Sequence, residues 1–142
     1  MHTVAEILRD KGSDIWTISP DDVVIDALTM MAEKGIGALL VMRNEKLVGI
    51  LSERDYARKI ALEGLSSRKS KVSDIMSHKV LCVKPEQTVQ ECMALMSAKR
   101  ARHLPVVDHK KVIGLVSIGD LVKNVIAEQR FEIEALQYYI TH

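Results

Sequence analysis

The sequence predicts a mixed α+β (α/β) fold built from two β-α-β-β-α repeats packed about a pseudo-two-fold axis. Three observations predict it. The chain matches itself at an offset of 65 residues, so that 15–60 falls on 80–125 without a gap. The coinciding pairs Pro20/Pro85, Val24/Val89, Met31/Met96, Lys34/Lys99, Leu39/Leu104, Val41/Val106, Lys46/Lys111, Gly49/Gly114, Ser52/Ser117 and Asp55/Asp120 are identical. Unrelated sequences would share about three residues over such a span. Within each repeat, apolar runs of strand length alternate with apolar residues at helical spacing. Finally, 142 residues suit one compact unit or two small halves sharing a core. A lone repeat of about 60 residues has a marginal core, so mutual burial of the halves is expected.

The elements follow in order. Ile15-Trp16-Thr17-Ile18 reads as a short strand that ends at Ser19-Pro20. Val23, Val24, Ala27, Leu28, Met30 and Met31 recur at helix spacing, and Gly35 and Gly37 stop that helix. Ala38 to Met42 and Leu47 to Leu51 form a hairpin across the polar turn 43–46. Ser52 starts a helix through Tyr56, Ala57 and Ile60. The second repeat has a strand at Val80 to Val83 and a helix marked by Val89, Cys92, Met93, Leu95 and Met96. A hairpin of His103–Val107 and Val112–Val116 follows, then a last helix from Ser117 to near Ile140. Each repeat has a helical lead-in, Val4–Leu8 and Val72–Met76. The expected domains are 1–64 for the first repeat, 65–71 for a polar linker, and 72–142 for the second repeat with its C-terminal helix.

Composition narrows the function classes. With 20 basic and 19 acidic residues the net charge is +1, which argues against a nucleic-acid partner. Aromatic residues are 4%, too few for base-stacking platforms. No apolar run reaches membrane-spanning length, and the N-terminus lacks the apolar stretch of a secretory signal. Cys82 and Cys92 are too few for a disulfide framework, so a reducing, cytoplasmic setting is expected. The five histidines show no metal-ligand spacing with either cysteine.

The segments VSDIM with VLCVKPEQTV, ARHLPVVDHKKVIGLVSIGDLV and GALLVMRNEKLVGILSERDYARKI together resemble a tandem pair of cystathionine-β-synthase (CBS) domains. The resemblance covers nearly the whole chain. It implies a flat Bateman-type module whose two inter-repeat clefts hold adenine-containing ligands such as AMP, ADP, ATP, NAD or S-adenosylmethionine. It also implies pairing of modules into a disc-shaped homodimer. Regulatory members include IMP dehydrogenase and the γ subunit of AMP-activated protein kinase.

Ser52-Glu53-Arg54-Asp55 and Ser117-Ile118-Gly119-Asp120 lie where a strand meets a helix. A serine followed three residues later by an acid is a capping box, which needs no ligand. The same carboxylate could accept two hydrogen bonds from the vicinal hydroxyls of a ribose, and amides at a helix start suit an anion. The two readings are compatible. The resemblance gives Asp55 and Asp120 the ribose and leaves Ser52 and Ser117 serving cap or phosphate. It gives Arg102, with His103, the phosphates, at the place where the first repeat has Gly37-Ala38. Arg54 could reach a phosphate, or pair with Asp22, Asp26 or Glu53; Gly119, its counterpart, allows close approach without charge. The adenine would lie against backbone at Thr17-Ile18 and Cys82-Val83, and Pro105 completes the implied contacts.

No nucleophile with a general base, glycine-rich phosphate loop or metal pair is visible. The expectation is therefore a sensor of cell energy or redox state in signal transduction, not an enzyme, read out by an effector protein or by oligomerisation. The alternative is a ligand-free interaction module. In that case Leu121, Val125, Ile133, Leu136 and Ile140 of the last helix serve assembly or pack on the helix's own core.

Overall fold

The computed structural model describes residues 2–141. Its elements are α1 (Val4–Lys11), β1 (Thr17–Ile18), α2 (Val24–Lys34), β2 (Ala38–Arg43), β3 (Lys46–Ser52), α3 (Glu53–Asp55), α4 (Val72–Ile75), α5 (Val89–Lys99), β4 (His103–Asp108), β5 (Lys111–Ser117) and α6 (Ile118–Thr141). The mixed α+β class with two repeats is as the sequence predicts. The helix expected after Ser52 is α3 for three residues and then a π-helical turn over Tyr56–Ala61.

Two compact units form, residues 15–80 and residues 1–14 with 81–142. They cut across the sequence repeats because each lead-in packs in the other repeat's core. Val72, Ile75 and Met76 are buried with Ile18, Val24, Ala27, Met31, Leu39, Val41, Leu51 and Ile60. Val4, Ile7 and Leu8 are buried with Val83, Val89, Cys92, Met96, Leu104, Val106, Val116 and Leu121. Each core is thus closed by a helix that lies in sequence with the other repeat.

Backbone hydrogen bonds fix the exchange in the same way twice. The amides of Val4 and Ala5 donate to the carbonyls of Gln87 and Pro85, and Val89 donates to His2. The amides of Val72 and Ser73 donate to the carbonyls of Asp22 and Pro20, and Val24 donates to Ser70. Val23 offers α2 no side-chain cap. The linker supplies one instead, because Ser70 and Ser67 accept from Val24 and Ile25.

In the unit 15–80, β1 pairs parallel with β2, which pairs antiparallel with β3. Asn44 and Glu45 both have positive φ, the signature of a two-residue type I′ turn. His109 and Lys110 repeat this between β4 and β5. The strand expected at Val80–Val83 is reduced to a single bridge, Val83 to Val106. Proline explains the loss. The Leu40 amide donates to Trp16 at 3.2 Å. Its counterpart Pro105 has no N–H to give.

Gly35 ends α2 in the left-handed conformation, φ 64°. Its counterpart at the end of α5 is Arg100 at φ 55°, a geometry that costs a residue with a side chain about 1–2 kcal/mol.

Candidate functional site

The motif residues converge at the same end of each hairpin. In the unit 15–80, Ala38 faces Ser52 across the β2–β3 ladder. The Glu53 amide donates to the Gly37 carbonyl at 3.0 Å. In the other unit His103 faces Ser117, and the Ile118 amide donates to the Arg102 carbonyl at 2.9 Å. The residue before each hairpin is thereby tied to the start of the helix after it. Gly37, Ala38, Ser52, Arg54 and Asp55 form one group; Arg102, His103, Ser117, Gly119 and Asp120 form the other.

The capping boxes are real at both places. The Ser52 amide donates to Asp55 Oδ2 at 2.9 Å, and the Asp55 amide donates to Ser52 Oγ at 3.3 Å. The Ser117 amide donates to Asp120 Oδ2 at 2.8 Å, and the Asp120 amide donates to Ser117 Oγ at 3.2 Å. The Ser52 hydroxyl also donates to Asp55 Oδ2, at 3.1 Å. Every one of these capping bonds to a carboxylate uses Oδ2. The cap does not use Oδ1, so capping and a second role for the carboxylate coexist in this geometry. The helix starts offer an anion less than the sequence suggests, because the first and third amides are already taken by Gly37 or Arg102 and by the serine. Arg54 and Gly119 carry the remaining first-turn amide.

Charge separates the two groups. Lys11, the last residue of α1, donates from Nζ to Asp120 Oδ2 at 2.7 Å and to the Leu115 carbonyl at 2.8 Å. Burial pushes the Asp120 carboxyl up. The hydrogen bonds from Lys11 and Ser117 and the lysine charge outweigh that and hold it below the ordinary carboxylate value. Among the described residues no lysine or arginine pairs with Asp55. The pairing of Arg54 with Asp22, Asp26 or Glu53, one of its two sequence readings, does not form; the Arg54 side chain is exposed. The Arg102 side chain is exposed as well.

Lys11 is the residue that sequence reasoning missed. A signal existed, since Val4–Leu8 aligns with Val72–Met76 as a lead-in of its own. Nothing in the sequence said that the lead-in crosses to the other repeat.

The strand positions divide by burial. Ile18 and Val83 point into the cores, while Thr17 and Cys82 are exposed. Of the two free thiols, Cys82 is therefore at the surface and Cys92 in the core. Val83 spends its amide on Pro105 and its carbonyl on Val107. Alternation along an extended chain turns the amide and carbonyl of Cys82 to the opposite, outer edge. Ile18, Val83 and Pro105 thus offer a ligand no side chain, and beside Val83 it is the backbone of Cys82 that faces outward. Among the described residues no group of three His, Cys, Asp or Glu side chains could hold a metal. No described helix is long and apolar enough to cross a membrane.

Two like units, each with a borrowed lead-in, a hairpin and a Ser-x-x-Asp helix start, define a tandem-repeat α+β protein of the paired-domain kind. The chain belongs to the CBS domain family, whose profile matches residues 4–62 and 72–127. It is 41% identical over 148 residues to the Arabidopsis thaliana "CBS domain-containing protein CBSX3, mitochondrial", covering 97% of this chain and 71% of that protein. A CBS-domain protein from Burkholderia ambifaria MC40-6, named for signal transduction, has a structure with TM-score 0.86 and 55% identity over 89% of this chain and 96% of its own. The CBS-domain pair of protein MJ0100, solved with 5-methylthioadenosine and S-adenosyl-L-methionine, shares the fold at TM-score 0.80 and 23% identity, over 90% of this chain and 98% of that one. CBS pairs of this stand-alone kind are regulatory modules.

Proposed function

We propose that the chain is a regulatory binder of adenine nucleotides of the AMP, ADP, ATP or NAD type, with one site at Asp55 and one at Asp120. It signals cell energy or redox state without turning its ligand over. The observation that carries this reading is the double use open to each aspartate. Oδ2 secures the helix start, and Oδ1 is left for a ribose hydroxyl in a family where the MJ0100 pair holds adenosine compounds. Thr17-Ile18 and Cys82-Val83 would meet the base through backbone, and Arg54 and Arg102 the phosphates. The free thiols Cys82 and Cys92 fit a reducing compartment such as the cytoplasm, and the Arabidopsis relative is named as mitochondrial.

Thermal unfolding with AMP, ADP, ATP, NAD and S-adenosylmethionine tests this. A ligand at 100 times its dissociation constant stabilises by about 2.7 kcal/mol. Asp55→Asn and Asp120→Asn should each remove the response of one site. The amide keeps an acceptor for the cap, so a lost response reports the ligand and not an unfolded helix start. A panel without any stabilisation removes the reading.

A second observation favours assembly beside ligand binding. Leu121 and Val125 of α6 pack on the core, but Phe131, Ile133, Leu136, Tyr138, Tyr139 and Ile140 are exposed. The apolar residues of α6 thus divide between the two roles open in the sequence. An exposed apolar patch of this kind is a protein contact surface, and we assign the outer half of α6 to a homodimer. The native chain should scatter light as a dimer and Phe131→Glu with Leu136→Glu as a monomer. An unchanged mass would exclude α6.

A further inference from the structure

We propose that Lys11 reads phosphate at the Asp120 site, so that this site selects phosphate-bearing nucleosides over uncharged ones while the Asp55 site lacks that contact. The assignment rests on the nucleotide-binding reading above and deepens it, by adding to one of the two sites a phosphate contact from outside the repeat motif. The lysine comes from α1, outside the repeat motif, and two fixed acceptors hold it. One is the Leu115 carbonyl of β5 at 2.8 Å; the other is the capped carboxylate of Asp120 at 2.7 Å.

An ammonium has three N–H donors. Two are spent on these acceptors and one remains. The Lys11 side chain is 37% exposed and that of Asp120 is 19% exposed, so both stay within reach of a ligand from solvent. A ligand whose hydroxyl takes Asp120 Oδ1 arrives beside the lysine's third donor. The lysine is already ordered by its two tethers, so a phosphate that accepts from it does not have to immobilise a free side chain. The tethers themselves contribute little stability, because a partly exposed ion pair is screened.

The contrast with the other site supports the assignment. Arg54 sits next to Asp55 on its helix, whereas Gly119 sits next to Asp120. The cation missing at 119 is supplied from a different element. Arg102 stands at the same end, its carbonyl receiving the Ile118 amide. The cations near the Asp120 site therefore come from outside α6, Lys11 from α1 and Arg102 from the segment before β4.

Calorimetric titration of the Asp55→Asn chain isolates the Asp120 site, with AMP and adenosine as the probes. AMP should bind the more tightly. Lys11→Gln in that background should weaken AMP roughly tenfold or more, the scale of a charge-assisted hydrogen bond. Adenosine should change by less than about threefold, and Lys11→Arg should keep the AMP preference. Circular dichroism on heating shows which variants fold, and Lys11→Arg carries the comparison where Lys11→Gln does not. Equal weakening of AMP and adenosine would mean that Lys11 only positions Asp120, and AMP binding indifferent to both substitutions would likewise overturn the assignment while the nucleotide reading stands. If neither compound binds the native chain the assignment falls, and if no member of the nucleotide panel stabilises it the reading falls as well.

Discussion

A chain that begins at Ile15 should lose the fold of its C-terminal unit and keep that of the unit 15–80. The cut removes α1 and leaves the whole second sequence repeat in place. Even so, it opens the core around Val89, Val106 and Val116, because Val4, Ile7 and Leu8 are 0%, 5% and 8% exposed there. Each buried aliphatic side chain is worth about 1.5–3 kcal/mol. Three of them approach the about 5–15 kcal/mol that holds a whole domain folded. The cut also strands the Val89 amide, whose acceptor is the His2 carbonyl. Amide spectra of the shortened chain should show dispersed signals for 15–80 and collapsed ones for 81–142. A synthetic peptide of residues 1–14 should restore them. Both halves unfolding together at the native urea midpoint would show that α1 is not part of that core.

How much of this was legible in the sequence depends on how far each feature reaches along the chain. The hairpins were legible because their determinants are local: short continuous apolar runs on either side of a polar turn. The Ser-x-x-Asp caps were legible for the same reason, since all their partners lie within three residues. The shortened first strand of the second repeat was readable in principle from Pro105, whose missing amide removes the bond that Leu40 makes. Its apolar run Val80–Val83 hid that, because hydrophobic pattern reports burial and not ladder hydrogen bonds. The exchange of lead-ins could not be read. Val4, Ile7 and Leu8 have the spacing of any amphipathic turn and would suit either core. Lys11 was hidden for the same reason. Its partner is 109 residues away, and only the packing of α1 brings the two together.

The paired glycines show where a repeat identity encodes a contact. Gly49→Ala should destabilise its unit by about 3 kcal/mol and Gly114→Ala by about 1 kcal/mol, both by overpacking. A Cβ at Gly49 would stand 2.6 Å from Met76 Sδ and 2.9 Å from the Ser77 carbonyl oxygen. The thioether can swing aside. The carbonyl cannot, because the Ile50 amide donates to it at 3.1 Å and the Ser77 amide donates back to Ile50 at 2.9 Å. Relief there means breaking a backbone pair that anchors α4 to β3. A Cβ at Gly114 would stand 2.7 and 2.9 Å from the two terminal methyls of Leu8. That is the far end of a side chain, and rotation about its χ angles answers the clash at the cost of an imperfect rotamer. The two glycines occupy equivalent positions and leave room for equivalent lead-ins, yet one faces backbone and the other a methyl tip. Urea unfolding of the two variants measures the difference directly. A larger loss at Gly114 than at Gly49 would mean that Leu8 is the more rigid neighbour, and that α1 is held more firmly against its hairpin than the residues following α4 are against theirs.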